Sequence, residues 1–301
     1  MPAPFLLSGH DWVTDGGLET DLIFLKGVDL PEFAAFPLVD DHAGRALLTS
    51  YFHDYVAIAE AAGAGVVLET PTWRANPDWA ALVGYDAVAL DRVNRASVDL
   101  VRAAVAGAER AIVSGCVGPR GDGYVASTTE ADQAADYHLA QVTSFAAAGV
   151  DVVHAMTLST VAEAVGVVRA ARSVGVPVAI SFTVETDGRL PDGTPLGEAV
   201  GSVDAAAAPD WYGVNCAHPT HVAPAFDGGG WQERVAALRP NASTMTHAEL
   251  DAMEELDSGD LGLLVSSAAS ARAALPSVSV VGGCCGTDSR HVAALWGVGG
   301  A

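Results

Sequence analysis

The stretch Ser277-Val-Ser-Val-Val-Gly-Gly-Cys-Cys-Gly286 holds a strand, a turn and two thiols in ten residues. Its valine-rich first half reads as a short β-strand, and the paired glycines end it. The thiols therefore stand just past the strand's C-terminal end, where a parallel α/β barrel collects its reactive groups. The same layout recurs upstream in Trp211-Tyr-Gly-Val-Asn-Cys216, another short apolar run that closes on a cysteine.

Working outward, five further runs of this kind appear: Trp12-Val-Thr-Asp15, Gly65 to Thr70, Ala111 to Val117, Asp151 to Thr157 and Pro177 to Val184. Between the runs lie alanine-rich stretches of helical character at about 43–62, 86–107, 130–149, 160–175, 195–207, 247–256 and 287–296. Gly63, Gly149 and Gly175 suit helix C-caps. An eighth strand is placed at Leu238-Arg-Pro-Asn-Ala242, with Pro240 near its end. Repeated strand–helix units with near-continuous apolar strands imply a parallel sheet covered by helices. Eight of them predict a single-domain (β/α)8 TIM barrel over residues 1–301. An open doubly wound sheet is the competing architecture, but Asp15-Gly-Gly-Leu-Glu-Thr20 is neither G-x-G-x-x-G nor a P-loop.

Composition excludes several function classes. Thirty-seven acidic against fifteen basic residues give a formal charge of −22, which repels nucleic acid and anionic membrane surfaces. No run approaches the ~18 apolar residues of a membrane span, and the N-terminus lacks a basic signal region. A cytoplasmic protein is expected. Four cysteines are too few for a secreted disulfide scaffold; in a reducing compartment such thiols serve metal binding or catalysis.

By the unit count Cys216 ends strand six and Cys284 and Cys285 end strand eight, close enough around a rim for three sulfurs to meet. Adjacent side chains on a regular strand diverge, so the pair converges only where the backbone leaves the strand, as Gly282, Gly283 and Gly286 permit. Three thiolates suit Zn2+ with a fourth position open. Against this stand three buried core cysteines and a strained vicinal disulfide that would leave Cys216 without a role. Cys116, inside its strand, reads as a packed side chain, and His218 and His221 rank below the cysteines as ligands.

The motifs Gly213-Val-Asn-Cys216 with Ala-His-Pro, and Gly282-Gly-Cys-Cys-Gly-Thr287 followed by Arg290-His-Val292, resemble those of the homocysteine S-methyltransferase family. Asp15-Gly-Gly-Leu18, Ser181-Phe-Thr183 with Asp192-Gly-Thr194, and Gly115 with Gly118-Pro119 support the resemblance, which runs over nearly the whole chain. It implies a zinc-dependent barrel enzyme that binds homocysteine as thiolate and methylates it from a sulfonium donor, S-methylmethionine or S-adenosylmethionine, to give methionine. The metal ligands implied are Cys216, Cys284 and Cys285. The substrate residues are Asp15, Gly16, Gly17, Glu69, Thr157 and Asn215. The partners are a small-molecule thiol and a methyl donor, with no nucleic acid and no membrane; the oligomeric state is left open. A neutral thioether leaves, so no essential general acid is expected.

Two positions depart from the family pattern. Glu19 stands where a glycine is usual. Met156 stands before Thr157, where a glutamate commonly grips the substrate ammonium. Either Glu69 or Glu185 substitutes for it, or the acceptor is a thiol without an amino-acid head. Trp73 and Tyr124 could face a sulfonium or simply pack at the rim. The alternatives to homocysteine methylation are the same chemistry on another thiol or onium donor, and a non-catalytic zinc or redox-sensing barrel.

Overall fold

Eight parallel strands close into a barrel in chain order: β1 Trp12–Thr14, β2 Gly65–Glu69, β3 Ala111–Val117, β4 Val152–Leu158, β5 Val178–Phe182, β6 Trp211–Asn215, β7 Val235–Arg239 and β8 Val280–Val281. The structure, a computed structural model, describes residues 6–299. β8 pairs back onto β1, Trp12 opposite Val280 and Val13 opposite Val281, so the ring leaves no open edge. The architecture is the (β/α)8 barrel expected from the sequence, not an open sheet.

The strands read as apolar runs because both of their faces are covered. Outward residues such as Val13, Val66, Leu68, Val113 and Val153 pack under the helices in one large core. Inward residues Trp12, Val67, Ile112, Val152, Ala179, Trp211 and Val280 form a second cluster that plugs the N-terminal end of the barrel. Two residues further along, the interior turns polar, with Thr14, Glu69, Ser114, His154, Ser181 and Arg239 all buried. Chemistry is thereby confined to the C-terminal mouth.

Helices His42–Ala62, Ala87–Ala104, Ala131–Ala148, Val161–Ser173 and Leu196–Ala207 fall close to their predicted spans. Asp41, Asp86 and Thr160 cap three of them by accepting the backbone N–H of Gly44, Ala89 and Glu163; each such cap contributes about 1 kcal/mol. Gly63 and Gly149 close two helices in the left-handed region, at φ 65° and 74°.

Three elements differ from the sequence reading. β7 is Val235–Arg239 rather than 238–242: the weakly patterned Val-Ala-Ala-Leu-Arg run is the buried strand, and Pro240 lies just beyond it. The helix expected at 247–256 is the short His247–Asp251, held by a capping box between Thr246 and Glu249. The helix that covers the barrel after β7 is Leu261–Ala274, which was not predicted; glycine and serine obscure its pattern, although Leu264, Ala268 and Ala271 form a buried stripe. Among the described residues no helix is long and apolar enough to cross a membrane.

Candidate metal centre and active site

The sulfur atoms of Cys216, Cys284 and Cys285 all lie within 4.8 Å of one another. Tetrahedral zinc with bonds of about 2.3 Å spaces its sulfurs roughly 3.8 Å apart, so the donor set fits that ion in chemistry and in scale.

The backbone explains the convergence. Cys216 follows β6 with φ 57°, a left-handed conformation that costs about 1–3 kcal/mol in a non-glycine residue. It is held there because its N–H donates to the Arg239 carbonyl (3.0 Å) and its own carbonyl meets Nε2 of His247 (2.9 Å). Cys284 N–H donates to the Pro240 carbonyl (2.8 Å), and the Cys285 carbonyl accepts from Ala242 N–H (3.1 Å). The segment that follows β7 thus clamps both cysteine loops. Of the flanking glycines only Gly286, at φ 77°, needs the left-handed region. Gly282 and Gly283 supply room instead, since a Cβ there would fall 2.3 Å from the Thr14 carbonyl oxygen and 2.0 Å from Thr287 Oγ1.

Hydrogen bonding within the cluster separates the three thiols. Donation from Cys216 and Cys285, with help from Arg239 and from Asn215 Nδ2 (3.6 Å), holds the Cys284 thiol well below its usual pKa. Bonding to Cys284, together with burial, pushes Cys216 up; bonding to Cys216 and Cys284 does the same to Cys285. The Tyr124 hydroxyl lies 3.0 Å from Cys216 Sγ, and its ring stacks on His247 at 4.1 Å. The loop that carries Tyr124 is fixed at its start by Glu163, which accepts from Arg120 N–H (2.7 Å) and from His138 Nε2 (3.0 Å).

A cavity of about 470 Å³ opens above the sulfurs. Asp15, Gly16, Gly17, Glu69, Thr157 and Asn215 line it alongside the three cysteines, so the structure brings all nine sequence-derived positions to one place. Thr157, at φ 62°, is a second left-handed residue. Asn215 braces it, accepting from Thr157 N–H and donating to Thr157 Oγ1, each at 2.8 Å. Cys116 also lines the cavity but stands outside the sulfur cluster. His218 and His221 do not line it: His218 Nδ1 pairs with Thr220 Oγ1, and His221 Nε2 with the Thr244 carbonyl. Trp73 and Tyr124 both face the cavity.

The sequence reading missed a charge network beneath this floor. Arg239, at the end of β7, donates to the Asp15 carboxylate, Thr14 Oγ1 (3.0 Å) and the Gly283 carbonyl (3.1 Å), and lies 3.5 Å from Glu69. Burial lifts the Asp15 carboxyl to about 6 in spite of Arg239. Burial also acts on Glu69, but His154 and Arg239 outweigh it and hold its pKa below the usual value. His154 sits between Glu69 Oε1 and Ser181 Oγ, at 2.7 Å from each. A serine–histidine–carboxylate order of this kind suggests a hydrolase, yet neither Ser181 nor His154 lines the cavity, so here it braces the interior. Misplacement of β7 is what hid Arg239.

Similar solved structures share the fold. Homocysteine methyltransferase MmuM from Escherichia coli is similar in its metallated form (22% identity, 96% of each chain covered, TM-score 0.75), its oxidized form (23%, 97% of each, 0.77) and its apo form (22%, 97% of each, 0.70). No curated protein matches the chain in sequence. Residues 12–297 match the family described as Homocysteine S-methyltransferase, and the chain, a methyltransferase, belongs to that family.

Proposed function

We propose that this enzyme transfers a methyl group from a sulfonium donor, S-methylmethionine or S-adenosylmethionine, to homocysteine, giving methionine, with Zn2+ held by Cys216, Cys284 and Cys285. The observation that carries this reading is the meeting of three sulfurs at the floor of a roomy cavity. Soft thiolates favour zinc among common divalent ions. Bound zinc supplies Lewis acidity that keeps an incoming thiol ionised near neutral pH.

The chain's own residues supply the remainder. Asn215 joins Thr157 to Cys284, fixing the mouths of β4 and β6 relative to the thiols. Asp15 is oriented by Arg239, while the adjacent Gly16 leaves no space for a side chain: a Cβ would lie 2.5 Å from the Tyr55 hydroxyl oxygen. In the transfer the acceptor sulfur forms a bond to the methyl carbon as the donor C–S⁺ bond breaks. The electron pair stays on the departing sulfur as a neutral thioether, so no proton is needed there. The cytoplasm, a reducing compartment, suits a chain whose four thiols are all free.

The test is a matrix of thiols against methyl donors on zinc-loaded protein, read by mass spectrometry, with metal content measured on wild type and Cys216→Ser. Methionine from homocysteine in the wild type, with zinc and turnover both lost in the variant, is expected. Full zinc and full activity in Cys216→Ser would refute the proposal.

A further inference from the structure

We infer that Glu19 is the carboxylate that binds the ammonium group of the amino-acid acceptor, taking over a contact that Met156 cannot make. The inference rests on the acceptor assignment above and deepens it.

Met156 lines the cavity at the mouth of β4, where its thioether offers no charge to an ammonium ion. The two carboxylates expected to compensate are already paired with other groups. Glu69 turns Oε1 to His154 at 2.7 Å and to Arg239, so its charge is matched even though Oε2 accepts no hydrogen bond, and Glu185 reaches His247 at 3.0 Å without lining the cavity. Asp15 is committed to Arg239. Asp251 and Glu255 stand exposed at the outer mouth.

Glu19 differs from all of these. It lines the cavity, is half-buried, and among the described residues forms no ion pair and no side-chain hydrogen bond to another residue. Arg74, the nearby cation, acts on Glu19 only through space and not as an ion-pair partner: its guanidinium lies over the rings of Trp79 (3.6 Å) and Trp73 (4.4 Å) and donates to the Gly121 carbonyl. A carboxylate drawn out of bulk water without a partner is costly, and a ligand cation repays that cost.

Position supports the assignment. The segment carrying Glu19 is joined to the cysteine loop: Gly17 N–H donates to the Thr287 carbonyl (3.1 Å), Gly283 N–H to the Asp15 carbonyl (2.9 Å) and Gly286 N–H to Thr20 Oγ1 (3.1 Å). Gly17 passes so close that a Cβ would lie 2.4 Å from the Cys284 carbonyl oxygen. The backbone from which Glu19 projects is therefore held in fixed relation to the sulfurs where the acceptor thiol reacts.

The test compares homocysteine with 4-mercaptobutanoate, which is the same thiol acid without its amino group, on zinc-loaded wild type and Glu19→Gln. In the wild type KM is lower for homocysteine by about tenfold or more, and Glu19→Gln raises the homocysteine KM by about tenfold to a hundredfold while leaving that of 4-mercaptobutanoate in place. Zinc content and melting temperature of the variant serve as folding controls. Equal wild-type KM values for the two thiols, an unchanged homocysteine KM in the variant, or an increase confined to the methyl donor would each overturn the assignment. A wild type that methylates neither thiol would defeat the acceptor reading itself, whereas homocysteine turnover insensitive to Glu19→Gln would defeat only this inference.

Discussion

Replacing Arg239 by methionine tests whether the interior network holds the barrel mouth together. Arg239 is 4% exposed and Asp15 2%, so the guanidinium and its principal partner are both cut off from bulk water. Methionine fills comparable space but removes every donor. Asp15 and Glu69 then remain as buried carboxylates with no cation between them, and the carbonyl of Gly283, next to the Cys284–Cys285 pair, loses its donor. Breaking a buried ion pair from one side costs about 3–5 kcal/mol. At roughly 2.1 cal/mol/K per residue, 301 residues give an unfolding entropy of about 0.6 kcal/mol/K, so the melting temperature falls by about 5–8 °C. Thermal melts followed by circular dichroism at pH 7 measure this. Adding Glu69→Gln removes one of the stranded charges, and the double variant recovers part of the loss as a positive coupling. A fall of less than about 1 °C, with no coupling, would show that water or rearrangement satisfies these groups and that the network carries little energy.

Three further outcomes are expected. Asp288 caps the helix Ser289–Leu295 and is held well below the usual carboxylate range: burial raises it, but His291 and Arg290 outweigh that. A depressed carboxyl contributes stability above its unfolded pKa and loses it as pH falls through the folded value. Asp288→Asn, which keeps an N-cap acceptor but loses the charge, thus costs about 0.3–1 kcal/mol in denaturant titrations at neutral pH, and the gap from wild type closes in strong acid. Gly17→Ala drives a methyl group into the Cys284 carbonyl, and zinc titration of the variant shows weaker binding along with a stability loss of about 1–3 kcal/mol. Met156→Glu, added to Glu19→Gln, restores a carboxylate to the cavity and brings the homocysteine KM back toward wild type; an unchanged KM would place the ammonium away from the mouth of β4.

Much of the barrel was legible because its signals are local. Short β-branched runs, alanine-rich helices and glycine caps each report on a few neighbouring residues, and most matched elements lie within a few residues of their predicted limits. The misses lie between β7 and β8. Val235-Ala-Ala-Leu-Arg239 is buried on both faces by its neighbours and needs no strong β-formers of its own, while Leu261–Ala274 contacts the core through one narrow stripe. The cysteines could be grouped from sequence because thiols are rare here and both sets follow a strand. The left-handed backbone at Thr157 and Cys216 could not, because no local residue preference calls for it. It depends on Asn215, Arg239 and His247 arriving from other parts of the chain.

Charge accounting in the transfer bears on which ligand Glu19 should hold. A sulfonium donor begins with a full positive charge and ends neutral, so a carboxylate set against that sulfur would stabilise the ground state more than the transition state and slow the step. The ammonium of an acceptor amino acid keeps its charge throughout. A carboxylate on that group lowers the energy of ground and transition states alike, and its loss appears in KM and not in kcat. Donor attraction is better left to aromatic faces such as Trp73 and Tyr124, whose interaction with a cation is weaker and relaxes at smaller cost as the charge disappears. Asp15 and Glu69 are tied to Arg239, whereas Glu19 has no ion-pair partner and burial raises its carboxyl to about 7, so a persistent ligand cation is what would favour its ionised form. The physical expectation is therefore that Glu19 meets the cation that persists and not the one that is consumed.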